Sequence, residues 1–184
     1  AGKPLIQYHV EALREAGFTE LVVNHAHLGA QIVARLGDGR AFGVRIEYSP
    51  EPGGALETGG GIRQALPLLG AGAFVVVNAD IWTDYPYREL GHEPEGLAHL
   101  VLVDNPTHHP QGDFQLSGGK LAAEGGARLT FSGIGLYRPE LFAATLPGRF
   151  ALAPLLRTAM QAGRVSGEHY RGGWMDIGTA QRLG

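Results

Sequence analysis

Apolar residues recur at helical spacing near the start of the chain. Leu5, Ile6, Val10 and Leu13 fall on one face of a segment that opens on Pro4 and stops before Gly17, which predicts a helix over 4–16. The period then changes. Leu21-Val22-Val23-Asn24 is a short run of buried-strand type, Leu28 to Leu36 returns to helical spacing, and Val44-Arg45-Ile46-Glu47-Tyr48 alternates as a strand does. A turn-rich stretch from Ser49 to Leu56 leads to Glu57-Thr58-Gly59-Gly60-Gly61, after which a helix is expected through Leu69, followed by a buried strand from Phe74 to Asn78. Helix alternating with strand predicts an α/β protein whose sheet is mostly parallel, with helices on both faces.

After Asp80 the rhythm differs. Leu97 to Val103 is a strong strand, while Asp113 to Leu116 and Lys120-Leu121 predict a hairpin around Ser117-Gly118-Gly119. Leu129 to Tyr137 is a long strand, Leu152 to Ala162 a helix, and Val165 to Tyr170 and Trp174 to Ile177 are strands separated by Gly172-Gly173. The second half therefore adds a small lobe of antiparallel strands. No repeat or linker divides the 184 residues, so one domain over 1–184 is expected.

A formal charge of −3 supplies no basic excess, which argues against a nucleic-acid partner. The absence of cysteine removes disulfides and thiolate metal sites and suits a reducing compartment. No apolar run reaches membrane-spanning length, so a cytoplasmic protein with no membrane partner is expected.

Candidate chemistry centres on two carboxylates. Asp80 closes the Phe74–Ala79 run, and Asp176 lies in the Trp174–Ile177 segment. The C-terminal edge of an open α/β sheet is where ligands bind. Two such groups could converge on one hard cation such as Mg²⁺, which takes one or two carboxylates plus substrate phosphates. The plainer roles are a turn cap for Asp80 and a cap on a helix beginning near Thr179 for Asp176. Asn78 shares a strand face with Asp80 and could bind a hydroxyl beside the metal. The glycines of 59–61 allow close backbone approach to an anion or a flat base, or form only a flexible turn, and Glu57 and Thr58 add polar groups able to read a base edge or ribose. Ser132-Gly133 within a strand marks either a ligand approached closely by backbone or a bulge. Glu168 could contact substrate or pair with Arg171. His108 and His109, as sequence neighbours, face different ways and are expected in a solvated loop, while His25 and His27 lack a third ligand and are read as structural.

Several segments, in order, carry a resemblance: Gly2-Lys3-Pro4-Leu5-Ile6, Leu56 to Ile62, Val77 to Trp82, Gly112-Asp113-Phe114, Thr130 to Gly135, Ser166 to Arg171 and Trp174 to Thr179. With them the chain resembles the sugar-1-phosphate nucleotidyltransferase family, in particular the uridylyltransferases of bacterial cell-wall sugar recycling. The resemblance implies a Rossmann-like nucleotidyltransferase fold and the reaction of UTP with a sugar 1-phosphate to give a UDP-sugar and pyrophosphate. It also implies that Asp80 and Asp176 hold Mg²⁺, that Thr58, Gly59 and Gly60 lie where uracil and ribose are read, and that Asn78, Asp113, Gly133 and Glu168 lie around the sugar.

The family's first strand, its Leu-Ala-Ala-Gly-x-G-x-R-Met triphosphate loop and the lysine of the following Pro-Lys-Pro-Leu do not occur in this sequence, and Lys3, in Gly-Lys-Pro, is not that lysine. The resemblance therefore implies a domain without its first strand, triphosphate loop and the end of its last helix, with weak or no nucleotide transfer. The alternatives are a guanylyl- or thymidylyltransferase for another hexose 1-phosphate, or a non-catalytic sugar-nucleotide-binding domain.

Overall fold

The computed structural model describes residues 2–178, which form two compact units. The first unit is built from residues up to Gly72 and from Phe142–Leu155; the second from Ala73–Leu141 and from Leu156 onward.

In the first unit, α1 (Leu5–Glu15) turns Val10 inward, and β1 (Glu20–His25) leads through α2 (Gly29–Leu36) to β2 (Arg45–Pro50). β1 and β2 pair in parallel, Glu20 opposite Arg45, as a strand–helix–strand crossover requires. Val10, Leu36, Val44 and Ile46 form the core, with Ile6, Leu21, Val23, Ile32, Phe42 and Tyr48 packed on it. All but Phe42 lie in the segments that the helical and alternating patterns selected. Lys3 is tied down on α1, paired with Glu11 and lying over the Tyr8 ring. His25 packs edge-on against Tyr48 at 5.8 Å between ring centroids, in keeping with a structural role.

The helix α3 (Glu57–Leu69) starts earlier than the sequence suggests, so Gly59, Gly60 and Gly61 lie inside it and are buried. Low helix propensity moves the expected start past the glycines. Packing overrides it. A Cβ on Gly59 would stand 2.5 Å from the Phe150 ring, one on Gly60 2.3 Å from the Gly148 carbonyl oxygen, and one on Gly61 3.0 Å from Asn24 Nδ2. Phe150 is bonded to this turn through both its backbone groups: Gly60 N–H donates to the Phe150 carbonyl at 3.0 Å, and Phe150 N–H to the Leu56 carbonyl at 3.1 Å.

The second unit contains β3 (Phe74–Val77), β4 (Ile81–Thr83), β5 (Ala98–Val103), β6 (Phe114–Ser117), β7 (Lys120–Ala122), β8 (Arg128–Tyr137), β9 (Val165–His169) and β10 (Trp174–Asp176). The helix α4 (Leu152–Gln161) runs into it from the first unit. Six strands form a sheet ordered β3-β8-β5-β9-β7-β6, and because β6 also pairs with the first residues of β8, the strands from β8 to β6 close on themselves. Leu100, Val101, Leu102, Ile134 and Val165 are fully buried, each contributing about 1.5–3 kcal/mol of transfer free energy. The β6–β7 hairpin turns at Gly118-Gly119, both with positive φ (55° and 77°), as a two-residue turn matching strand twist demands.

The α/β class and the mixed sheet agree with the sequence. The expected predominance of parallel pairs does not: among the described residues only β1–β2 and β5–β9 are parallel. The cause is β8, which runs antiparallel to β3, β5 and β6 alike. The strand β4, three residues long and following a turn, carries too short a pattern to be read from sequence. It pairs with β10 as a separate antiparallel ribbon.

Candidate active site

The centre of the second unit is a bulge in β8. Val101 lies opposite Ile134 and Leu102 opposite Phe131, so Ser132 and Gly133 are extruded between them. Ser132 Oγ donates to the Val101 carbonyl at 2.7 Å and accepts the Ile134 N–H at 3.1 Å. Asp113 Oδ2 accepts the Phe131 N–H at 2.8 Å. Gly133 has φ +84°, and a Cβ there would come within 2.9 Å of the Asn78 side chain, so only glycine fits. Ser132-Gly133 forms the bulge that the sequence offered as one reading.

The two extruded carbonyls hold the carboxylate-bearing segments. Asn78 N–H donates to the Gly133 carbonyl at 2.9 Å, fixing the exit of β3 two residues before Asp80. The Trp174 indole Nε1–H donates to the Ser132 carbonyl at 2.9 Å, fixing β10 two residues before Asp176. Asp176 then pairs across the ribbon with Ile81, and Ile177 N–H donates to the Asp80 carbonyl at 2.7 Å. The carboxylates meet beside Gly178: a Cβ on that residue would stand 3.0 Å from Asp80 Oδ2 and 3.2 Å from Asp176 Oδ1.

Asp80 is exposed in its turn, and no hydrogen bond from the described residues occupies its carboxylate, so it does not act as a turn cap there. Asp176 Oδ1 accepts the Gly178 N–H at 2.9 Å, and its Oδ2 lies 3.3 Å from His108 Nε2. The helix that Asp176 was to cap lies outside the described residues. Two carboxylates, one in the turn before β4 and one on β10, have the hard oxygen chemistry that suits a divalent cation completed by phosphates and water. Among the described residues, no group of three or more His, Cys, Asp or Glu is placed to hold a metal.

The other expected residues fall into distinct settings. Asn78 and Gly133 touch, and Asp113 is spent internally, with Oδ2 on the bulge and Oδ1 3.1 Å from His109 Nε2. Glu168, on β9, accepts from Tyr85 Oη at 2.5 Å and lies 3.7 Å from His99 Nε2. His99 beside it holds its carboxyl below the usual range; burial opposes this and the Tyr85 hydrogen bond adds to it. Glu57, Thr58, Gly59 and Gly60 belong to the first unit, at the start of α3. Glu57 and Thr58 are exposed; Glu57 has φ +62° and accepts from Arg149 Nε at 2.8 Å.

Sequence reasoning missed His108, Tyr85, Trp174 and Arg149 as members of these settings. His108 and His109 do face different ways in an exposed loop, as expected, and each also meets an acid, Asp176 and Asp113. Arg149 lies ninety-two residues from Glu57, and nothing local to either residue announces the pair.

A family model described as nucleotidyl transferase matches residues 1–113. The N-acetylmuramate alpha-1-phosphate uridylyltransferase of Neisseria meningitidis serogroup B is 54% identical over 192 residues, covering 100% of this chain and 83% of the relative. The enzyme of the same description from Caulobacter vibrioides is 34% identical over 197 residues, covering 98% and 81%. In fold, the chain is similar to a Bacillus anthracis protein described as a glucose-1-phosphate thymidylyltransferase and solved with sucrose, with TM-score 0.84 and 21% identity over 98% of this chain and 79% of that one. The chain belongs to the nucleotidyl transferase family, in its sugar-1-phosphate branch. That family generally uses a divalent metal.

Proposed function

We propose that this protein transfers UMP from UTP to N-acetylmuramate 1-phosphate, giving UDP-N-acetylmuramate and pyrophosphate, as a cytoplasmic step of cell-wall sugar recycling. The observation that carries the chemistry is the convergence of Asp80 and Asp176 beside Gly178. The choice of base and sugar is supported by the 54% identity that runs the length of the chain.

In this reading Asp80 and Asp176 hold Mg²⁺, which supplies neutralising charge at the α-phosphate. A phosphate oxygen of the sugar 1-phosphate attacks the α-phosphorus of UTP; that P–O bond forms as the bond to the β-phosphate's bridging oxygen breaks, and pyrophosphate leaves. Rate enhancement comes from alignment and charge neutralisation. Thr58, Gly59 and Gly60 are assigned to the reading of uracil and ribose, with Glu57 beside them. Asn78, Gly133 and Glu168 receive the sugar, and Asp113 holds the bulge that presents Gly133.

Calorimetric titration of UDP-N-acetylmuramate with and without Mg²⁺ tests the reading, first on the parent chain and then on Asp176→Ala. Binding should strengthen with Mg²⁺ in the parent and lose that dependence in the variant. Metal-dependent binding left intact by Asp176→Ala would show that the pair is not the metal seat.

A further inference from the structure

We infer that Tyr85 is a positioning residue for the sugar-binding carboxylate of Glu168, and that through it the sugar contact is braced to the strand pair that carries the metal carboxylates. This rests on the proposed reading of Glu168 as a sugar contact.

Tyr85 is 4% exposed, yet its hydroxyl is not lost in the core: it donates to Glu168 Oε1 at 2.5 Å. Its ring is wedged edge-on against Tyr87 at 5.7 Å and Tyr170 at 5.0 Å, so the hydroxyl has little freedom to aim elsewhere. On the other oxygen, His99 Nε2 stands 3.7 Å from Oε2, and the imidazole is itself oriented by the buried Ser166, whose Oγ lies 2.9 Å from Nδ1. Tyr85 holds one carboxylate oxygen by a hydrogen bond and His99 lies beside the other, and because each oxygen can accept more than one hydrogen bond, acceptor capacity is left free. Burial and the nearby Glu168 push the Tyr85 phenol far above its ordinary value, while the Glu168 carboxyl is lowered. The proton therefore stays on Tyr85 near neutral pH, and Glu168 remains an acceptor for a sugar hydroxyl or amide N–H.

The brace continues from Tyr85 into β4. Tyr85 N–H donates to Thr83 Oγ1 at 3.1 Å, and that hydroxyl donates to the Gly173 carbonyl at 2.9 Å. Gly173 N–H donates in turn to Asp84 Oδ1 at 2.7 Å, an oxygen that also accepts from the Tyr170 hydroxyl. Residues 83–85 are thus bonded to residues 168–173. The two segments being clamped lead directly from Asp80 through β4 and directly into β10 with Asp176. A shift of the metal pair is resisted by the same bonds that orient Glu168.

The test is a double-mutant cycle on the full chain, read by calorimetric Kd for UDP-N-acetylmuramate and for UDP, with thermal melting alongside. Tyr85→Phe keeps the ring packing and removes only the donor. It should weaken UDP-N-acetylmuramate about tenfold, the loss of roughly 1.4 kcal/mol that one hydrogen bond to a charged group represents, and leave UDP within twofold. Glu168→Gln should weaken the UDP-sugar at least as much. Tyr85→Phe added to Glu168→Gln should change the Kd no further, which a general structural weakening would not reproduce. His99→Gln, at a partly exposed position, should shift the UDP-sugar Kd in the same direction. If Glu168→Gln leaves the ratio of the two Kd values unchanged, or the parent fails to bind the UDP-sugar, the sugar-contact reading falls. If Glu168→Gln changes the ratio while Tyr85→Phe and His99→Gln do not, or if the losses simply add, the positioning role is overturned.

Discussion

Gly133 offers the sharpest test of how the site is built, because it stands between the backbone of β8 and the strand that delivers Asp80. Gly133→Ala brings two separate costs. An L-residue at φ +84° gives up roughly 1–2 kcal/mol of backbone energy. The added methyl carbon would also stand 2.9 Å from Cβ, Cγ and Nδ2 of Asn78, and overpacking of this kind costs about 1–3 kcal/mol. Together these make about 2–5 kcal/mol, and at about 2–4 °C per kcal/mol for a chain of this size the melting temperature should fall by on the order of 10 °C. Gly118→Ala separates the two costs. It too has a positive φ (55°), but open space around it, so it should pay the backbone cost alone and fall by roughly 3 °C. Both variants are measured by thermal unfolding and by Mg²⁺-dependent calorimetry with UDP-N-acetylmuramate. Gly133→Ala should also weaken the Mg²⁺ dependence, since the Gly133 carbonyl anchors Asn78, and Gly118→Ala should not. A Gly133→Ala protein that melts no lower than Gly118→Ala would refute the view that the bulge is a crowded hub.

Four further outcomes follow from the same geometry. Gly178→Ala inserts a methyl group between Asp80 and Asp176 and should lower Mg²⁺ affinity tenfold or more, about 1.4 kcal/mol, with little change in melting; unchanged metal titration would exclude a seat there. At Gly60, helix propensity alone favours alanine by about 1 kcal/mol, but the 2.3 Å approach to the Gly148 backbone oxygen should reverse the sign. Gly60→Ala should therefore melt below the parent, while Gly53→Ala, in open space, should not. Tyr137 is fully buried and its hydroxyl has no hydrogen-bond partner among the described residues, so Tyr137→Phe should raise stability by about 1 kcal/mol in urea unfolding; a loss would mean the hydroxyl is satisfied. The Glu168 carboxyl is depressed below its ordinary 4.5. Its contribution is complete above that value and is lost as pH falls through the depressed one. The stability gap between parent and Glu168→Gln should therefore shrink from pH 6 to pH 3, and a constant gap would contradict the shift.

Elements with strong local patterns were legible: α1, β3, β5, β8 and the Gly118-Gly119 hairpin lie where periodicity and turn chemistry put them. What escaped depends on partners distant in sequence. The start of α3 follows from the Gly148–Phe150 segment packing on Gly59 and Gly60, which no helix propensity encodes. β4 exists because β10 pairs with it. The proximity of Asp80 and Asp176 was anticipated from their strand-end positions, but the means was not: two carbonyls of one bulge hold Asn78 and Trp174. Asp113 also holds that bulge, through a bond to a residue eighteen positions away that nothing local announces.

The division of the first unit into two stretches of chain has a consequence for its synthesis. Residues up to Gly72 emerge from the ribosome well before Phe142–Leu155, which completes the same unit. At about 5–20 residues per second, the place that Phe150 will fill beside Gly59 waits roughly 5–18 s for its occupant. Throughout that interval the glycine turn of α3 lacks both backbone bonds that Phe150 later supplies. Nascent chains halted before residue 142 should therefore be cut readily by protease around Glu57–Gly61, and chains extended past residue 155 should resist.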